Sequence, residues 1–130
     1  MPHYVLDASA LLALLHQEPG SDKVVQAIED GAAISTVNLS EVASKLNDLG
    51  APETVIEDAI NALELTIVDF NAELAYKVGV LRPLTKHAGL SLGDRACLAL
   101  AQHLDLPALT TDRTWAGLSL GITVQVIRSS

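Results

Sequence analysis

The sequence predicts an α/β fold built around a mainly parallel sheet of about five strands. Two patterns carry that prediction. Short runs rich in β-branched residues alternate with longer helical runs, as strands joined by helical crossovers do. Glycines and prolines stand between these runs as breakers, at Pro19-Gly20, Gly31, Gly50 and Pro52. The 130 residues are 49% hydrophobic and 18% charged, a composition of one globular, core-forming domain spanning residues 1–130. A chain this long buries about two thirds of its unfolded surface, so it needs no disulfide or structural metal to fold. Cys97 is the sole cysteine; it allows no intramolecular disulfide and no multi-thiolate metal site.

The elements follow in order. Residues 3–7, HYVLD, read as a buried strand ending in an aspartate. Residues 8–16, ASALLALLH, carry too much Ala and Leu for a strand and read as a helix stopped by Pro19-Gly20. Ser21 is expected to cap a second helix that Gly31 closes. AAISTV, 32–37, is the second strand. Asn38 is expected to open a helix ending at Gly50, and Pro52 suits the first turn of the next, PETVIEDAINALE. LTIVDF, 65–70, is the third strand, led by β-branched residues. A long helix runs from Asn71 to about His87. The helix from Ser91 holds an unbroken apolar run from Ala96 to Ala101 and is expected to be buried on most sides. Residues 107–111 give a fourth strand, Asp112–Trp115 a turn, and VQVIR, 124–128, a fifth strand. The chain shows no internal repeat, low-complexity tract or linker.

Eight Lys and Arg against sixteen Asp and Glu give a net charge of −8, which excludes a protein that grips nucleic acid by general electrostatic attraction. Any nucleic-acid function must be local. The N-terminus has no basic leader, and no stretch reaches the ~18 apolar residues of a membrane span. The expected location is cytoplasmic, with no membrane partner.

In a parallel sheet, catalytic groups gather beyond the carboxyl ends of strands, at the crevice where strand order reverses. Asp7, Asp69 and Asp112 end or closely follow strands, while Glu41 and Asp94 fall in first turns of helices that can point at the same edge. Each has an ordinary reading beside this one. Asn38-Leu-Ser-Glu41 and Ser91-Leu-Gly-Asp94 both fit a capping box. Asp7 and Asp112 could equally be N-caps or Asx-turn residues.

The phrases around these acids say more than the acids alone. Val5-Leu6-Asp7-Ala8-Ser9-Ala10-Leu11, Asn38-Leu39-Ser40-Glu41-Val42, Leu90-Ser91-Leu92-Gly93-Asp94-Arg95-Ala96 and Leu109-Thr110-Thr111-Asp112-Arg113-Thr114-Trp115 occur in this order. Together they resemble the PIN-domain family, with the closest likeness to the VapC-type toxins of bacterial toxin–antitoxin pairs. The likeness extends from Tyr4 to at least Trp115 with no departure at the acidic positions.

The resemblance implies a three-layer α/β/α fold and a metal-dependent endoribonuclease, with Asp7, Glu41, Asp94 and Asp112 as an acidic quartet around Mg²⁺ or Mn²⁺. It implies metal ligation by Asp7, Asp94 and Asp112, a water-orienting or water-deprotonating role for Glu41, and support from Ser9 and Thr111. It also implies an RNA substrate, a cognate VapB-like antitoxin and a homodimer. The antitoxin is expected to wrap the toxin by apolar anchors and deliver a basic side chain to the acidic pocket.

The chemistry agrees. Phosphodiester hydrolysis needs an activated water and charge neutralisation at the transition state, and an oxygen-ligated divalent cation supplies both. A carboxylate cluster without a cation would raise its members' pKa values by mutual repulsion.

Other residues take plainer readings beside functional ones. Arg95 and Arg113 could touch phosphate or serve as surface pairs and site braces. His3, His16, His87 and His103 show no ligand spacing and read as surface or helix-end residues. Cys97 reads as core. Trp115 is a packing anchor or a base-stacking platform, and Ala10 to Leu15 is core or part dimer face.

Three rival functions differ in kind. A phosphoacceptor receiver domain would use the strand-terminal Asp69 and the acid after the first strand, Asp7, but Leu6 stands where a paired acid is wanted and Thr110-Thr111-Asp112 where a strand-ending lysine is wanted. A PIN fold that only binds is opposed by acids at all four positions. A haloacid-dehalogenase-like phosphatase is weaker still, because Ser9 replaces its second aspartate.

Overall fold

The computed structural model describes residues 1–128. The chain runs β1 (Tyr4–Leu6), α1 (Ala8–Leu15), α2 (Ser21–Asp30), β2 (Ala32–Ser35), α3 (Thr36–Asp48) and α4 (Glu53–Asn61). It continues through β3 (Thr66–Val68), α5 (Ala72–Thr85), α6 (Leu92–Leu104), β4 (Ala108–Thr110) and β5 (Val124–Val126), with 3₁₀ turns at Lys86–Ala88 and Arg113–Gly117. The strands form one sheet in the order β3-β2-β1-β4-β5, with every pairing parallel. Strand order reverses between β1 and β4, which opens a crevice at their carboxyl ends.

Alternation along the strands builds three layers. Val5, Ala33 and Ala108 pack with Leu74, Val78 and Leu81 of α5 and the apolar run of α6. Leu6, Ala32 and Leu109 face the other way, onto Ala10 and Ala13 of α1 and Val24 and Ala27 of α2. A third cluster, Leu11, Ile34, Val42, Ile56 and Ile60, joins α1, α3 and α4 to the sheet. The helix from Ser91 is buried from Arg95 to Ala101, as its composition predicts. Trp115 and Cys97 are fully buried. Trp115 is therefore the packing anchor, and its ring is closed to a stacking base. Among the described residues, no helix is long and apolar enough to cross a membrane.

Two helix starts differ from the sequence expectation, each for a local reason. Gly20, at φ 95°, caps α2 in place of Ser21; a Cβ there would overlap the Ile127 carbonyl oxygen, so only glycine lets the chain pass. The third helix starts at Thr36 because the Ser35 side chain accepts from Val37 N. The second strand therefore ends at Ser35, and Asn38 lies inside α3, 1% exposed. The Asn38–Glu41 capping box does not form.

Candidate active site

The cap of α1 is the centre of the site. Asp7 follows β1 and accepts from Ala10 N at 2.7 Å, as an N-cap does. Ser9 Oγ also donates to it, 2.7 Å from Oδ1 and 2.9 Å from Oδ2, and Thr110 Oγ1 donates to Oδ2 at 2.6 Å. Thr110 ends β4, the strand across the crevice from β1. The capping and site readings of Asp7 therefore coexist. Three protein donors still leave part of the roughly four lone-pair positions of a carboxylate unspent.

The hydroxyl that holds Asp7 belongs to Thr110, one residue before the expected Thr111. Thr111 lies beyond the end of β4. Thr111 contributes its backbone N–H instead, to Ser9 Oγ at 3.0 Å. Asp112 N donates to Thr110 Oγ1 at 3.1 Å, and the Asp112 carboxylate accepts from Thr114 N and Oγ1, capping the 3₁₀ turn.

Asp94 and Glu41 approach from two helices. Asp94 sits in the first turn of α6, where the capping box with Ser91 is complete: Ser91 N donates to Asp94 Oδ2 at 2.9 Å, and Asp94 N to Ser91 Oγ at 3.2 Å. Glu41, on α3, accepts from Asn38 Nδ2 at 2.9 Å. A cavity of about 340 Å³ is lined by Asp7, Ser9, Asn38, Glu41, Lys45 and Asp94 among others. Three of the four expected acids thus share one cavity. Asp112 is outside its lining, tied to Asp7 through the Thr110 hydroxyl.

Burial pushes the Asp7 carboxyl up from 3.8 to about 6, against the lowering effect of its Thr110, Ala10 and Ser9 hydrogen bonds, with the Asp94 charge adding to the rise. Burial likewise pushes the Cys97 thiol well above its ordinary value, and the charges of Asp7, Asp94 and Glu41 add to it. Cys97 is a neutral core thiol beneath the site, and not a nucleophile.

Among the described residues, no three Asp, Glu, His or Cys side chains already stand in an ion-holding arrangement. The donor set nevertheless fits a hard divalent cation. It consists of carboxylate oxygens with spare lone pairs, one of them on a buried acid whose charged form is disfavoured without a cation.

Sequence reasoning missed Asn38, Lys45 and Thr110. Lys45 stands one helical turn beyond Glu41, a spacing that could have found it; Asn38 reads in the sequence as a cap. Arg95 is buried, its Nη1 donating to Val78 O at 3.1 Å, so it braces α6 against α5. Arg113 is exposed. Asp69 is exposed beyond the edge strand β3 and outside the cavity lining. All four histidines are exposed, His103 lying 3.8 Å from Glu73.

The model of the PIN domain family matches residues 4–119. No curated protein matches the chain. Among solved structures, the chain is similar to a toxin–antitoxin complex from Klebsiella pneumoniae, at 22% identity over 92% of this chain and 95% of that one, TM-score 0.72. It is also similar to VapBC2 from Rickettsia felis bound to a DNA fragment from its promoter, at 18% identity over 94% and 96% of the two chains, TM-score 0.74. A third similar structure is VapC20 from Mycobacterium tuberculosis, described as a sarcin-ricin loop cleaving toxin. It shares 15% identity over 92% and 98%, TM-score 0.64. At these identities the likeness is one of fold.

Proposed function

Because the chain belongs to the PIN-domain family, we propose that it is a VapC-type toxin, a cytoplasmic endoribonuclease dependent on Mg²⁺ or Mn²⁺. The carrying observation is the meeting of Asp7, Glu41 and Asp94, from distant parts of the chain, in one cavity at the switch point of the sheet. Its similarity in fold to toxins solved with their antitoxins supports a VapB-like antitoxin as partner, and a homodimer as the working form belongs to the same proposal. The whole chain then acts as a single domain.

Asp7, Asp94 and Asp112 would hold the cation, which when bound supplies charge neutralisation at the phosphate and activation of the attacking water. Ser9 and Thr110 keep the Asp7 carboxylate in one orientation, and the Thr111 N–H orients Ser9. Glu41, held by Asn38, accepts the proton that the water loses. Lys45 gives the acidic cavity one positive side chain for the RNA backbone, which the net charge of −8 otherwise repels.

The test is cleavage of a panel of structured RNAs by the purified protein with Mg²⁺, Mn²⁺ or EDTA, beside Asp7→Asn and with its VapB-like antitoxin added. Cleavage that needs the ion and Asp7 and is stopped by the antitoxin is the expected result. Cleavage unaffected by EDTA and by Asp7→Asn would overturn the reading.

A further inference from the structure

Glu41 is exposed on α3, and a glutamate has three rotatable side-chain bonds, so an unheld carboxylate there would sample many positions. Instead it sits over Gly93, so close that a Cβ on Gly93 would overlap its carboxylate. Gly93 is the second residue of α6 and buried. Its backbone has an ordinary helical φ, and in a helix glycine is less stable than alanine. The space is what glycine provides.

Asn38 closes this arrangement. Its Nδ2 donates to Glu41 Oε1 at 2.9 Å and to Gly93 O at 3.0 Å. Both partners can only accept, which fixes the amide orientation and turns Oδ1 away from them. Asn38 Oδ1 is buried without a protein partner, while the side chain lines the cavity shared by Asp7 and Asp94.

We propose that Asn38 and Gly93 position Glu41: the amide, hooked between the Glu41 carboxylate and the Gly93 carbonyl, holds that carboxylate in a notch only glycine leaves open. The effect on catalysis rests on the nuclease reading, whereas the notch does not.

The test compares wild type with Gly93→Ala, Asn38→Ala, Glu41→Ala and the Gly93→Ala/Glu41→Ala pair. The Asn38 side-chain amide is followed by NMR in EDTA, and kcat and KM are measured for Mn²⁺-supported RNA cleavage. Gly93→Ala removes no polar group and should melt no lower than wild type. It should shift the Asn38 amide signals as Glu41→Ala does, and lower kcat at least ~10-fold with KM little changed. In the pair, the added Gly93→Ala should move neither the signals nor kcat further, because both changes act through one carboxylate. Asn38→Ala should lower kcat likewise; if it does not fold, Gly93→Ala decides alone. The proposal is overturned by a Gly93→Ala protein with wild-type signals, whatever its kcat, or by additive losses in the pair. Wild type that cuts no RNA with either ion would remove the nuclease reading, and the NMR comparison would then decide the notch alone.

Discussion

Replacing Asp7 by asparagine should stabilise the metal-free protein at neutral pH, although it alters the centre of the site. Asp7 is 4% exposed, and its carboxyl is raised from 3.8 to about 6. A group raised in this way favours the folded state when protonated. Its contribution is complete below pH 3.8, fades as pH rises toward 6 and is absent above that. At about 1.4 kcal/mol per pH unit, the loss is about 3 kcal/mol. Asparagine keeps the cap, because its Oδ1 can still accept from Ala10 N, and the Ser9 and Thr110 hydroxyls can rotate to accept from its amide. Its amide, with one acceptor oxygen where the carboxyl has two, fits these donors less well, at about 1 kcal/mol. The net gain at pH 8 is then about 2 kcal/mol, roughly 6–8 °C of melting temperature for a chain of this size. Thermal melts of both proteins in EDTA from pH 4 to 8 measure it. Asp7→Asn should gain about 2 kcal/mol on wild type between pH 4 and 7, and Mn²⁺ should raise the melting temperature of wild type alone. Parallel pH profiles, or a mutant that melts lower at pH 8 in EDTA, would refute the reasoning.

Asp94→Asn should leave metal-free melting within about 2 °C of wild type, since a weakened cap of α6 is offset by relief of the charge on Asp7; it should abolish ion-dependent cleavage in the RNA assay. Lys45→Ala should raise KM for RNA several-fold with kcat nearly unchanged, read from steady-state kinetics across salt concentrations. Trp115→Ala should cost about 3–5 kcal/mol in urea unfolding, because the whole indole is buried, while cleavage persists where the protein stays folded. Light scattering of the toxin without antitoxin should give a dimer mass, and a concentration-independent monomer would refute the homodimer.

Local information was enough for the element order and for the residues that end strands. Alternating strand and helix patterns, the breakers at Pro19-Gly20 and Gly31, and the apolar run of α6 all act within a few residues, so the sequence by itself determined an α/β chain with Asp7 at a strand end and Asp94 in a first helical turn. The neighbours of those acids were decided only by tertiary structure. Asp7 meets Thr110 across 103 positions of chain, and Asn38 meets Gly93 across 55. These meetings depend on the strand order β3-β2-β1-β4-β5, which local periodicity does not encode. Thr110 and Thr111 are equivalent hydroxyls to a sequence reader, but β4 beside β1 gives the Thr110 side chain to the carboxylate, and Thr111 offers its backbone N–H to Ser9. Asn38 reads as a cap until Ser35 takes that place. A helix boundary moved by three residues then puts its amide against α6, where burial obliges each polar atom to find a partner.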